Sequence, residues 1–175
     1  FLKKKYSNSK FVVFYQDLIC HKRKVDLTTY KNDMDLIVSF DINDCRINNL
    51  LYHPLVYSDI ADSIAPFEHK SNIYFCGAAK NRLKEIVDSY DFFTNSGFTC
   101  DYNVIIPENQ DYPNYKGINF YRSFPYTENL RHLKACDYIL EIMQKGGTGF
   151  TIRACEAIAF NKKLISNNLN LQSAN

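Results

Sequence analysis

A chain of 175 residues has room for one domain or two small lobes. A hydrophobic content of 46%, with 15% aromatic side chains, supplies a packed core and excludes a disordered segment. The formal charge of +2, from 21 basic against 19 acidic side chains, lacks the concentrated basic excess of a nucleic-acid binder, so no nucleic-acid partner is expected.

Strand and helix signals alternate along the chain, the pattern of a parallel α/β sheet. The opening Phe1-Leu2-Lys3 reads like the tail of a helix. Phe11 to Tyr15 (FVVFY) and Asp35 to Phe40 (DLIVSF) are continuous apolar runs, as buried parallel strands require. A helix is predicted from Ile42 to Asn49, with Asp41 placed to cap it. Leu51 to Tyr57 reads as extended, and Pro54 argues against a central strand.

Ser58 to Ser71 breaks this rhythm with Asp59, Asp62, Pro66, Glu68 and His69. Residues 59–71 are read as a linker between two lobes, 1–58 and 72–175. Ile73 to Cys76 (IYFC) begins the second, and Gly77-Ala78-Ala79 is expected to turn tightly. A helix should follow from Lys80 to Ser96, because Leu83, Ile86, Val87, Tyr90 and Phe93 recur at spacings of three and four and Gly97 suits its stop. Strands are predicted at Tyr102 to Ile106 and Ile118 to Tyr121, then a helix capped by Thr127 through Lys134, with Glu128 in its positive first turn. Asp137 to Ile142 is a strand, Phe150 to Phe160 a helix, and Lys163 to Ser166 a further strand. The residues after it, Asn167 to Asn175, close no element, and both ends predict missing flanks.

Cys20, Cys45, Cys76, Cys100, Cys136 and Cys155 form no CxxC pair and lack histidines at ligand spacing, so no metal is expected. Thiols in apolar surroundings suit a reduced, cytoplasmic setting. No apolar run is long enough to span a bilayer. The basic runs Lys3-Lys4-Lys5 and His21-Lys22-Arg23-Lys24 read as solvated ends, or as peripheral contacts with the anionic face of an inner membrane. The four histidines form no cluster and receive no role.

Ligands of open parallel sheets bind beyond the carboxyl ends of the strands. Two such ends carry candidate binding residues. At the first, Gly77 allows close approach, and Lys80 and Arg82 offer charge to a phosphate; an ordinary turn with two solvated cations is the plainer reading. The second is the glycine-rich stretch from Glu141 to Thr151, with Gln144 and Gly149 within it. It matches neither the P-loop nor the dinucleotide fingerprint, yet it offers backbone N–H groups to a diphosphate at a helix start. The next helix is apolar on nearly every side and so expected to be buried, while it holds Arg153 and Glu156 on one stripe with Gly149. Either the two charges pair with each other, or Glu156 accepts from ribose hydroxyls about 10 Å along the helix from Gly149 while Arg153 faces phosphate. Phe124-Pro125-Tyr126 reads as core packing or as a wall for a base.

The segment Asp137 to Asn168 (DYILEIMQKGGTGFTIRACEAIAFNKKLISNN) resembles the C-terminal lobe of bacterial glycosyltransferases of the GT-B architecture, those of lipopolysaccharide, capsule and other surface-glycan synthesis. Glu156-Ala157 matches the family's ribose-binding pair, and Lys162 to Asn168 the strand that follows. Asp35 to Ser58 is similar to the end of the family's N-terminal lobe, and Tyr74-Phe75-Cys76-Gly77 to the first strand of its second lobe. The resemblance implies a Rossmann-like, GT-B type fold of two lobes with the first incomplete (1–58) and 72–175 as the nucleotide-sugar-binding lobe. It implies transfer of a sugar from a nucleotide diphosphate sugar to a glycan or lipid-linked acceptor, with no bound cofactor. Many relatives carry a second Glu eight residues before the ribose-binding one; Thr148 stands there in this chain, and Gln144 or Glu141 would have to substitute. No catalytic base is assigned. A non-catalytic nucleotide-sugar-binding or scaffold module of the same fold, and a two-lobed sugar-nucleotide epimerase, are the rival expectations.

Overall fold

The fold is that of a computed structural model, which describes residues 2–19, 27–58 and 63–173. Cys20, the run His21-Lys22-Arg23-Lys24, and Asp59 and Asp62 of the expected linker lie outside them. The helices α1 (Leu2–Lys5), α2 (Leu27–Asp33), α3 (Ile42–Asn48), α4 (Leu83–Asn95), α5 (Tyr126–Ala135) and α6 (Ile152–Ala159) alternate with the strands β1 (Val12–Tyr15), β2 (Leu36–Ser39), β3 (Leu51–Tyr52), β4 (Ser71–Ala78), β5 (Cys100–Ile105), β6 (Asn119–Tyr121), β7 (Cys136–Glu141) and β8 (Lys163–Ser166). A 3-10 turn follows at Leu169–Ser173. All strand pairs are parallel, so the chain is an α/β protein with Rossmann-like sheets.

The chain divides into two compact units: Phe1–Val56 with Lys145–Thr151 and Leu169–Asn175, and Tyr57–Gln144 with Ile152–Asn168. The first holds the three-stranded sheet in the order β1-β2-β3. Its β2 is the buried middle strand, and Leu51–Tyr52 is the short edge that Pro54 predicts. Asp41 caps α3 by accepting the Asp44 N–H at 3.0 Å, and Asn49 at φ 52 ends that helix in the left-handed region. Helix α2 has no counterpart in the sequence reading, because LTTYKND offers no repeat of apolar residues at helical spacing.

The second unit holds a five-stranded sheet in the order β6-β5-β4-β7-β8. Successive residues of β4 point to opposite faces. Ile73 and Phe75 join Tyr102, Val104, Leu140 and the α4 residues Leu83, Ile86, Val87, Tyr90 and Phe93. Tyr74 and Cys76 join Leu133 of α5, Ile139 of β7 and Ala157 of α6. The sheet is thus wound on both sides, with α4 on one face and α5 and α6 on the other.

Three local expectations are corrected. Gly77 and Ala78 continue β4, and the turn falls on Ala79–Arg82, where Ala79 donates its N–H to Ile105 and Lys80 takes φ 46. Pro125 rather than Thr127 stands at the N-cap of α5, because its fixed φ of −59 is preset for a helix start. Helix α6 is not buried all round: Ile158 is 81% and Ile152 41% exposed, while Glu156 is fully buried. Its small residues Ala154 and Ala157 bring one side onto the sheet, and the isoleucines fall on the other.

Candidate functional site

Strands β4 and β7 are neighbours, yet the chain between them builds β5 and β6 to one side and continues to β8 on the other. The strand order therefore reverses between β4 and β7, and a crevice at the carboxyl ends of such a pair is where open α/β sheets hold ligands. Gly77 and Glu141 stand at the carboxyl ends of these two strands, and the loops leaving them carry Lys80, Arg82 and Gln144. Arg82 spans the two ends: its Nε and Nη2 donate to the Ala78 carbonyl at 3.3 and 3.1 Å, and its Nη1 donates to the Ile142 carbonyl. Gly77 leaves room for this, since a Cβ there would stand 3.3 Å from Arg82 Nη2. Glu141 is buried and accepts from the hydroxyl of Ser166, its partner across β7 and β8. Asn167 holds the start of the loop, accepting the Met143 N–H at 2.7 Å. Lys80 is exposed and Gln144 half-buried. Burial lowers the pKa of Arg82; Glu141 opposes this, and the positive charge of Arg153 adds to it, so these three groups share one electrostatic neighbourhood.

Helices α5 and α6 both start at the carboxyl edge of the sheet, so Tyr126, Asn129, Arg153 and Glu156 lie toward it. Arg153 and Glu156 pair with each other in the structure. Glu156 Oε2 stands 2.6 Å from Arg153 Nη1, in ion-pair contact but outside hydrogen-bond alignment. Asn129 ties the group together: its Nδ2 donates to Glu156 Oε1 at 3.0 Å, and its Oδ1 accepts from Arg153 Nη1 at 2.8 Å and from the Tyr74 hydroxyl at 3.0 Å. Burial pushes the Glu156 carboxyl up, while Arg153, the Tyr126 hydroxyl and Asn129 hold it down. Arg153 remains 17% exposed and Tyr126 40% exposed, so they form the rim of a cluster whose carboxylate is inside.

Gly149 and Thr151 stand elsewhere. They belong with the first unit, and Gly149 precedes α6 rather than lying on its stripe. The Thr148 and Gly149 N–H groups donate to Asp41 Oδ2 at 2.7 and 2.8 Å, and the Thr148 hydroxyl donates to the same atom at 3.0 Å. A Cβ on Gly149 would sit 2.6 Å from the Phe40 carbonyl oxygen. Gly149→Ala is therefore expected to destabilise the protein by about 1–3 kcal/mol, read from the midpoint of thermal unfolding.

Sequence reasoning missed Asn129, which stands three residues before His132 on the buried side of α5. A polar residue at core spacing was the available signal. It also missed the pair His132 and Asp101, where Nδ1 and Oδ2 are 2.5 Å apart and the imidazole stacks on Phe67 at 3.9 Å. Asp41 was read as a cap alone. Among the described residues burial pushes the thiols up, Cys100 to about 11 and Cys136 to about 12, which disfavours the thiolate. Among the described residues no group of ligating side chains could hold a metal ion, and no helix is long and apolar enough to cross a membrane. No protein-family model matches the chain, and no curated protein matches it significantly.

Proposed function

We propose that the second unit binds a nucleotide diphosphate sugar and that the protein transfers the sugar to a glycan or lipid-linked acceptor in bacterial surface polysaccharide synthesis. The observation that carries this reading is the reversal of strand order between β4 and β7, with Gly77 and Glu141 at the carboxyl ends of those strands and Lys80, Arg82 and Gln144 on the loops that leave them. A diphosphate leaving group carries concentrated negative charge, which fixed cations stabilise without a metal. The positive charge of Arg153 reaches Arg82, and exposed Lys80 adds a third cation two residues before Arg82. The resemblance to the GT-B lobe supports the same placement. Contact of the exposed lysines of α1 with an inner membrane belongs to this proposal, since a lipid-linked acceptor would sit there.

Thr148, standing where many members of the resembled family carry a second Glu, favours a second reading, a module that keeps the fold and binds without turnover. Calorimetry with uridine and guanosine diphosphates tests binding directly. Lys80→Gly keeps a residue suited to φ 46 and removes one cation. It is expected to weaken the preferred nucleotide about five- to tenfold, the size of one exposed phosphate contact. Absence of heat with either nucleotide would sink the reading. Sugar transfer or hydrolysis of the nucleotide sugar decides between the two readings.

A further inference from the structure

The carboxyl edge of the larger sheet carries a row of hydrogen bonds that crosses from strand to strand. On one side the Ile106 N–H donates to the Tyr121 carbonyl at 2.8 Å, and the Ala79 N–H to the Ile105 carbonyl at 2.9 Å. On the other the Met143 N–H donates to Asn167 Oδ1 at 2.7 Å. Arg82 joins the two runs. The register pairs of β4 with β5 reach Ala78, and those of β7 with β8 reach Glu141. Those of β4 with β7 end at Tyr74 and Ile139. Past that point the guanidinium stands where a rung would, its three nitrogens donating to the Ala78 and Ile142 carbonyls. Each of those carbonyls shares a planar peptide with the next N–H of the row, that of Ala79 or of Met143.

We infer that Arg82 is a positioning residue, the hub of a hydrogen-bonded belt that fixes the loops leaving β4 and β7, and that it acts on a ligand through those loops rather than by contact. A guanidinium suits this task, since its planar fork holds two carbonyls at set angles where an ammonium cannot. The bonds of both runs point away from the positive centre: the Ala78, Ile105 and Ile142 carbonyls each belong to a peptide whose N–H donates onward. Bonds aligned in this way polarise and strengthen one another. Arg82 is half-buried, Glu141 offsets its charge, and a Cβ at Gly77 would crowd Nη2 at 3.3 Å. The hub stands on these bonds alone, whereas its bearing on affinity rests on the nucleotide-sugar reading.

Amide hydrogen exchange in the whole chain, without ligand, tests the hub. Arg82→Lys keeps the charge and loses the fork. In it the Ala79 and Met143 N–H groups are expected to exchange about tenfold faster than in the parent protein, the change in opening that follows from losing one charged hydrogen bond. The Asn72 N–H, bonded to the Thr99 carbonyl at the opposite edge of the sheet, should keep its parent rate. Unchanged rates at Ala79 and Met143 overturn the inference, and so does an equal speeding of all three, the mark of general loosening. Calorimetry with uridine and guanosine diphosphates reads the consequence for binding. The preferred nucleotide should bind Arg82→Lys about three- to tenfold more weakly, the cost of ordering at binding a loop that was ordered beforehand. Parent affinity in a folded Arg82→Lys protein overturns the inference too. Should Arg82→Lys not fold, the Arg82 Nε–H of the parent protein decides: slow exchange with water supports the hub, and exchange as fast as that of exposed arginine side chains overturns it. A parent protein that binds neither nucleotide while the amide result holds removes the nucleotide-sugar reading and leaves the hub standing.

Discussion

Arg153→Met is expected to destabilise the protein by about 3–5 kcal/mol at neutral pH, the range for removing one partner of a buried ion pair. The reason is the carboxylate left behind: Glu156 has no exposed surface and would keep only its bonds from Asn129 and Tyr126. Burial already pushes its carboxyl up against the pull of Arg153, and removing the arginine raises it further. An acid whose folded pKa lies above its unfolded one gives up stability as pH rises from the unfolded value through the folded one. The deficit of Arg153→Met should therefore shrink on acidification toward the ordinary glutamate range, which urea unfolding at several pH values will show. Replacing both partners by methionine should recover most of the loss, since no buried charge then remains. A deficit that is flat with pH, or undiminished in the double variant, would show that the pair is not what matters. Nucleoside diphosphate affinity, measured where the variants stay folded, separately reports the ribose role expected of Glu156.

The second large effect belongs to the core. Leu133→Ala is expected to destabilise by about 2–5 kcal/mol, through lost burial and the cavity it leaves. Leu133 is fully buried among Tyr74, Ile139 and Ala157, so the cavity would lie between α5, α6 and the centre of the five-stranded sheet. Denaturant unfolding with an unchanged slope and a lower midpoint is the expected signature. The same change at exposed Phe92 should cost well under half as much.

The strands were the most legible part of the chain. The run DLIVSF is apolar without alternation because β2 is covered on both sides, whereas FVVFY, expected to be buried too, forms the edge strand β1, where Val12 is exposed and the rest half-buried; β1, β2, β4, β5 and β7 all fall within a residue or two of the expected runs. The failures have physical causes. Gly77 reads as a turn because glycine so often is one, whereas here the missing Cβ makes space for a guanidinium. Helix α6 reads as buried because its composition is apolar, whereas alanine contacts hold it to the sheet and Ile158 faces outward. Glu156 and Arg153 were visible as a pair at helical spacing, but the residue that bonds both of them, Asn129, arrives from another helix. The bond from Thr148 to Asp41 joins residues too far apart in the chain for any local pattern to reveal.

Placing β4 beside β7 has a kinetic consequence. The middle of the larger sheet is closed by pairing Ser71 with Cys136 and Ile73 with Tyr138, after two helices and two strands have been threaded between them. The entropy of gathering so long a stretch must be met before the central rungs return anything, so nucleation around α4 and its flanking strands comes first and the seam shuts late. Until it shuts, Tyr74 and Cys76 lack the α5–β7 half of their packing, and the nascent chain presents a sticky, half-finished sheet to its surroundings.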